Sequence, residues 1–174
     1  MLKRNHFLTG TTFLLAASAA TYATAPEIID KFAPETSQKI LFCASFLATT
    51  SLPDIDKKMG FIQHRTLTHS LLFLAILFMA FINLPYLNGI TLACFHHILI
   101  DSISDQGIPW LWPLSRTITY NSGASVVAGH FLKLYRTGEI SEFIFAILIV
   151  VLNLLISGYF IFQSMPNLRF LLPF

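Results

Sequence analysis

The sequence predicts an all-α fold, a multi-pass transmembrane helical bundle of about five helices. Three observations predict it. First, hydrophobic residues make up 55% of the 174 and charged residues only 11%, where a soluble domain carries about 25% charged. Such a chain cannot cover its own surface with charge, and its mean hydropathy is +0.67. Second, five apolar segments follow one another: Phe7–Ala23, Ser37–Leu52, Leu67–Leu84, Leu87–Ser104 and Phe143–Gln163. Third, the length suits one compact unit. We expect a single membrane-embedded domain over residues 1–174, with a core from about 6 to 142 and a C-terminal span from about 143 to 163.

The first segment has two readings. Lys3 and Arg4, an apolar stretch, then Ala23-Thr24-Ala25 have the outline of a cleavable signal peptide. Pro26 directly after that site, and Thr9, Thr11 and Thr12 within the stretch, favour a retained helix. The second segment has an N-terminal signal in Pro34, Glu35, Thr36 and Ser37, and Pro53 ends it. Thr66 or Thr68 can cap the third. The second and fourth are short or interrupted by polar groups, as inner helices of a bundle would be. The fifth is the clearest span, since crossing a bilayer takes about 20 residues. Glu139 and Glu142 begin it, where first-turn acids suit the helix dipole; a reach from either to a metal is the lesser reading.

Loop charge sets orientation. With a cytoplasmic N-terminus, eight Lys or Arg fall inside and three outside. The net charge of +2 is too small and dispersed for nucleic-acid binding. Cys43 and Cys94 lie in apolar runs and read as buried free thiols, not as a disulfide or thiolate metal site.

The chemistry concentrates in two stretches. In the fourth segment, His97 and Asp101 are four residues apart, so both project from one helix face about 40° apart. An ionisable pair at membrane depth must face the bundle interior and be paired or metal-bound. A structural His–Asp hydrogen bond between helices is the competing reading. His96 points off that face, toward packing or a supporting place behind the ligands. The second stretch runs from Ser51 to Phe73 and holds Asp54, Asp56, His64 and His69. Both aspartates lie in the turn leaving segment two, and His69 sits one turn inside segment three.

An up-down bundle brings the start of segment one, the turn between two and three, and the end of four to one face. That face collects His6, Asp54, Asp56, His64, His69, His97 and Asp101, and His130 lies in the long loop on the same side. Imidazoles and carboxylates without thiolates suit zinc, with manganese or iron as alternatives, and can hold one or two ions. A bound metal would activate water near neutral pH. In the loop that follows, Trp110 and Trp112 suit interfacial anchoring. Arg116, with Arg65, is available to an anionic group such as phosphate.

LPDID, HRTLTHSLL and HHILIDSISDQGIPWLWPLS, in that order, with NHFLTG near the start, resemble the LexA-regulated, inner-membrane-associated metal-dependent hydrolase family (YdjM-like). The resemblance runs from about His6 to Glu142. It implies metal ligation by His6, Asp54, Asp56, His64, His69, His97 and Asp101, and a place in the bacterial inner membrane. The His-x-x-x-Asp element is also similar to one in zinc-dependent phospholipases C and related nucleases. Lys57 and Lys58 beside the aspartates, and Asp105, depart from what we can match.

These readings converge on a membrane-bound metal-dependent hydrolase with its site toward the cytoplasm. Asp54, Asp56, His69 and Asp101 carry the catalytic roles and Arg65 and Arg116 meet the substrate. That substrate is an ester or phosphoester, with a membrane lipid or lipid-linked molecule as the partner. The alternatives are a metal-ion transporter or channel, since intramembrane His and Asp also mark ion paths, and a non-enzymatic protein whose His–Asp pairs only tie helices. Polar residues gathered at one end argue against a pore.

Overall fold

The computed structural model describes residues 3–59, 65–104, 107–113, 134–136 and 138–164. Among these the fold is all-helical, with one isolated bridge between Ser104 and Tyr135 and no strand. The helices are α1 (Lys3–Thr24), α2 (Pro26–Phe32), α3 (Thr36–Thr49), α4 (Asp56–Met59), α5 (Leu71–Ala80), α6 (Gly89–Ser102) and α7 (Ile140–Ser164).

α1 tolerates its threonines because their hydroxyls bond back along the helix. Thr9 donates to the Asn5 carbonyl at 2.8 Å, Thr11 to Phe7 at 2.8 Å and Thr21 to Ala17 at 2.8 Å. These threonine hydroxyls are then not left bare toward an apolar medium. The helix stops at Ala25, and Pro26 opens α2 from the first-turn position, where its missing N–H costs nothing. Sequence patterning did not separate α2, because seven residues are too few to show a period.

α3 begins with a reciprocal cap: the Glu35 side chain takes the Gln38 backbone N–H, and the Gln38 side chain takes that of Glu35. It ends at Thr49, earlier than the apolar run, and a 3-10 turn over Leu52–Ile55 carries Pro53 and Asp54. α5 is capped by Ser70, whose hydroxyl accepts from the Phe73 N–H at 3.3 Å. Neither Thr66 nor Thr68 is the cap: the chain from Leu67 to His69 is still a 3-10 turn, and the Thr68 hydroxyl is engaged by Asp56 at 2.6 Å.

α6 crosses α3 at close range through Gly89. A Cβ there would run into the Phe42 carbonyl and the Ser45 hydroxyl, so only glycine permits the approach. α1 and α7 pack along each other, and Asn153 of α7 donates to the Thr12 hydroxyl at 3.2 Å. Among the described residues the apolar core falls into three small clusters, around Phe145, around Ile98 and around Phe46.

α7 is the one helix among the described residues long and apolar enough to cross a membrane. Its 25 residues span about 37 Å, against a hydrocarbon core of about 30 Å. Its outer face is a run of exposed Phe143, Ile147, Leu148, Val151 and Leu155. α5 has only ten residues, since the run expected over Leu67–Leu84 divides into a 3-10 turn, a short helix and a further turn. Cys94 is buried as expected, but Cys43 is exposed, because it lines an apolar cavity of about 890 Å³ between α1, α2, α3, α5 and α6.

Candidate metal centre

Four buried side chains converge where α6 meets the turns on either side of α4. Asp54 comes from the 3-10 turn after α3, His69 from the turn before α5, and His97 and Asp101 from one face of α6. Each offers one ligand atom, and all four atoms lie within 4.8 Å of one another. Nε2 of His69 and Nε2 of His97 each stand 3.6 Å from Oδ2 of Asp101. They stand 4.0 and 3.8 Å from Oδ1 of Asp54. A tetrahedral ion with bonds of 2.0–2.1 Å spaces its ligands about 3.3–3.4 Å apart. The contacts at 3.6 Å therefore close with a few tenths of an ångström, those at 3.8 and 4.0 Å with about half an ångström, and the widest spacing, within 4.8 Å, needs a larger inward shift.

Both ring orientations are enforced from behind. Nδ1 of His97 lies 2.8 Å from the Thr50 carbonyl, which can only accept, so the proton sits on Nδ1 and Nε2 presents a lone pair. Nε2 of His97 has no hydrogen-bond partner among the described residues. His69 is held similarly. The Thr68 hydroxyl donates to Oδ2 of Asp56 at 2.6 Å, leaving its own lone pair for Nδ1–H of His69 at 3.0 Å. Buried imidazole lone pairs aimed at buried carboxylates are what a divalent ion needs and what water-free packing disfavours.

Asp56 takes a supporting place. It accepts from Thr68 and from the Arg65 backbone N–H at 3.0 Å, and faces Nδ1 of His69 at 3.5 Å, on the ring edge away from the cluster. Arg65 adopts positive φ of 62°, which turns its side chain inward. Its guanidinium meets Oδ2 of Asp101 at 3.2 Å and donates to Ser104 and to the Gly107 carbonyl. Lys57, at 45% exposure, pairs with Oδ1 of Asp54 at 2.8 Å. Burial pushes the Asp54 carboxyl up, but His97 and Lys57 beside it outweigh that and hold it below its ordinary value.

His6 adjoins the four. Its ring stacks on His97 with centroids 3.8 Å apart at 10°, and its Nε2 lies 3.4 Å from Oδ1 of Asp101. Asp101 thus presents one oxygen to His69 and His97 and the other to His6. Gly10, one turn on, gives α1 the clearance to do this, since a Cβ there would stand 3.0 Å from the Thr50 methyl. His96 packs beside Phe13 and Phe46, as its helix position predicts.

The YdjM inner membrane protein family model matches residues 1–164. The chain belongs to that family. No curated protein and no solved structure matches the chain.

Of the seven residues implied as YdjM-like metal ligands, four form the cluster, His6 adjoins it and Asp56 backs it. His64 lies outside the described residues, as do His130, Arg116 and Asp105. Sequence reasoning missed the Thr50 carbonyl, and no signal could have found it, since any residue carries one. It also missed the roles of Thr68 and Lys57. The adjacency of Thr68 to His69, and the spacing of Asp54 and Lys57 by three, were available as signals.

Proposed function

We propose that this YdjM-family chain is a metal-dependent hydrolase of the bacterial inner membrane, acting on an ester or phosphoester, with a lipid-linked substrate as the favoured class. One observation carries the reading: two oriented imidazole lone pairs and two carboxylates meet in one buried set. Asp54, His69, His97 and Asp101 would hold the ion, with His6 beside it. Zinc suits this donor set, and manganese or iron also fit. The ion, when bound, supplies Lewis acidity to the substrate and lowers the pKa of water.

The protein's own residues do the rest. Asp56, through Thr68 and the Nδ1 side of His69, keeps that imidazole in one tautomer. Arg65 holds Asp101 and adds positive charge beside the site, where an anionic phosphoester gains from it. Arg116 is assigned the same role on its sequence position. The lipid preference is supported by the apolar cavity, which lies along the same α1 and α6 that bear His6 and His97. The multi-pass topology, with the N-terminus and the site toward the cytoplasm and a single domain over residues 1–174, belongs to this reading and is supported by the loop charges.

The test uses purified full-length protein in lipid vesicles. Metal analysis is expected to find one or two divalent ions per chain, by the count of ligands. Chelation should abolish hydrolysis of a phosphoester lipid and zinc or manganese should restore it. Metal transport across the vesicle wall without hydrolysis would overturn the reading in favour of a transporter. Absence of bound metal would reduce the cluster to helix ties.

A further inference from the structure

We propose that Glu142, in the first turn of α7, is a positioning residue for the metal centre: through Asn5 it fixes the first turn of α1 and so sets His6 against Asp101. The inference rests on the metal reading above.

Glu142 is 1% exposed and Asn5 4%. Nδ2 of Asn5 donates to Oε1 of Glu142 at 2.7 Å, across 137 residues of sequence. The Gly138 backbone N–H donates to Oε2, also at 2.7 Å. Glu139, three residues earlier, shows what an acid at a helix start ordinarily does: it sits at the surface, 53% exposed, paired with Arg136 at 3.1 Å. Glu142 instead accepts the penalty of burial, which a carboxylate tolerates only when its oxygens are taken up by donors. Both oxygens are.

The residue after Asn5 is His6. It is the fourth residue of α1, in the turn whose N–H groups lack partners within the helix and which frays most readily. Yet His6 is fully buried, stacked on His97 and facing Oδ1 of Asp101, while His69 and His97 face Oδ2. Such a fixed place in a fraying turn calls for an outside tie. The Asn5–Glu142 bond supplies it next to the histidine, whereas the Thr12–Asn153 bond lies further along the same interface.

The experiment titrates Co²⁺ into the purified full-length chain in detergent, following visible ligand-field absorption and bound metal. Asp101→Ala sets the baseline for loss of the site. Glu142→Gln is expected to weaken Co²⁺ binding about 10–100-fold, the usual effect of losing a residue that supports a ligand, and to shift the absorption in the same direction as His6→Ala. In the His6→Ala background, Glu142→Gln should add nothing, because both act through one histidine. Exchanging the pair, Asn5→Asp with Glu142→Gln, reverses the donor and should restore the wild-type spectrum. If Glu142→Gln alone does not fold, the exchanged pair decides: a wild-type spectrum supports the inference, and a folded chain with an altered one overturns it. A wild type that takes up no Co²⁺ overturns the metal reading and this inference together. A wild type that binds, with Glu142→Gln indistinguishable from it or additive with His6→Ala, overturns the inference alone.

Discussion

Asp54 and Asp101 each meet a cation as well as the imidazoles, Lys57 on one and Arg65 on the other. Asp56 takes the Thr68 hydroxyl and the Arg65 backbone N–H, and stands outside the four-residue set. The three carboxylates therefore should not respond alike. Asp54→Ala and Asp101→Ala remove ligand atoms and should lose stoichiometric metal in elemental analysis. Asp56→Asn should keep the metal but bind it about 10–100-fold more weakly in titration, since it backs the ligand His69. The pairing of His97 with Asp101 was legible from spacing alone, because four residues on a helix return to the same face. The difference between Asp54 and Asp56 was not. They stand two residues apart, Asp54 in the 3-10 turn and Asp56 at the start of α4, and which carboxylate joins the ligand set depends on a turn geometry that no residue pattern announces. Thr50 was out of reach for a related reason: its contribution is a backbone carbonyl.

Among the elements, α3 and α5 show what local chemistry discloses. The Glu35–Gln38 cap was marked by residue type and spacing. In α5 three hydroxyl residues compete within Thr66 to Ser70, and tertiary contacts choose among them. Ser70→Ala should destabilise the protein by about 1 kcal/mol, the usual value of a cap, read as a lowered melting temperature in detergent, whereas Thr68→Ala should act mainly on metal affinity through Asp56. Gly89 binds α6 to α3 and so fixes the distance from His97 to the turn bearing Asp54. Gly89→Ala forces the helices apart, at a cost of about 1–3 kcal/mol for overpacking, and should lower metal content even though it touches no ligand. An unchanged metal content in a folded Gly89→Ala protein would show the site to be independent of that crossing.

For the molecule as a whole, composition announced a membrane protein and the family agrees, but the number of crossings is a separate matter. Among the described residues only α7 has the length and apolarity of a full span. α5 is too short alone, and α6 carries buried His96, His97 and Asp101 on its inner side. Apolar runs in the sequence overstate helix length here, because they continue through 3-10 turns. Five crossings with the N-terminus inside predict that a reporter enzyme joined after Ser164 is active on the outer side of the membrane and one joined after Met59 on the cytoplasmic side. The reverse pattern, or both reporters on one side, would refute that topology.

The pairing of α1 with α7 has a consequence for timing. Among the described helices, the one that carries His6 is made first, while the helix it lies along is made last. A nascent chain that has produced everything up to Tyr135 already possesses Asp54, His69, His97 and Asp101, yet its N-terminal turn still lacks the Glu142 clasp. On the proposed role of Glu142, the seating of His6 therefore waits until α7 has been made, and a chain cut short before Glu142 lacks that tie.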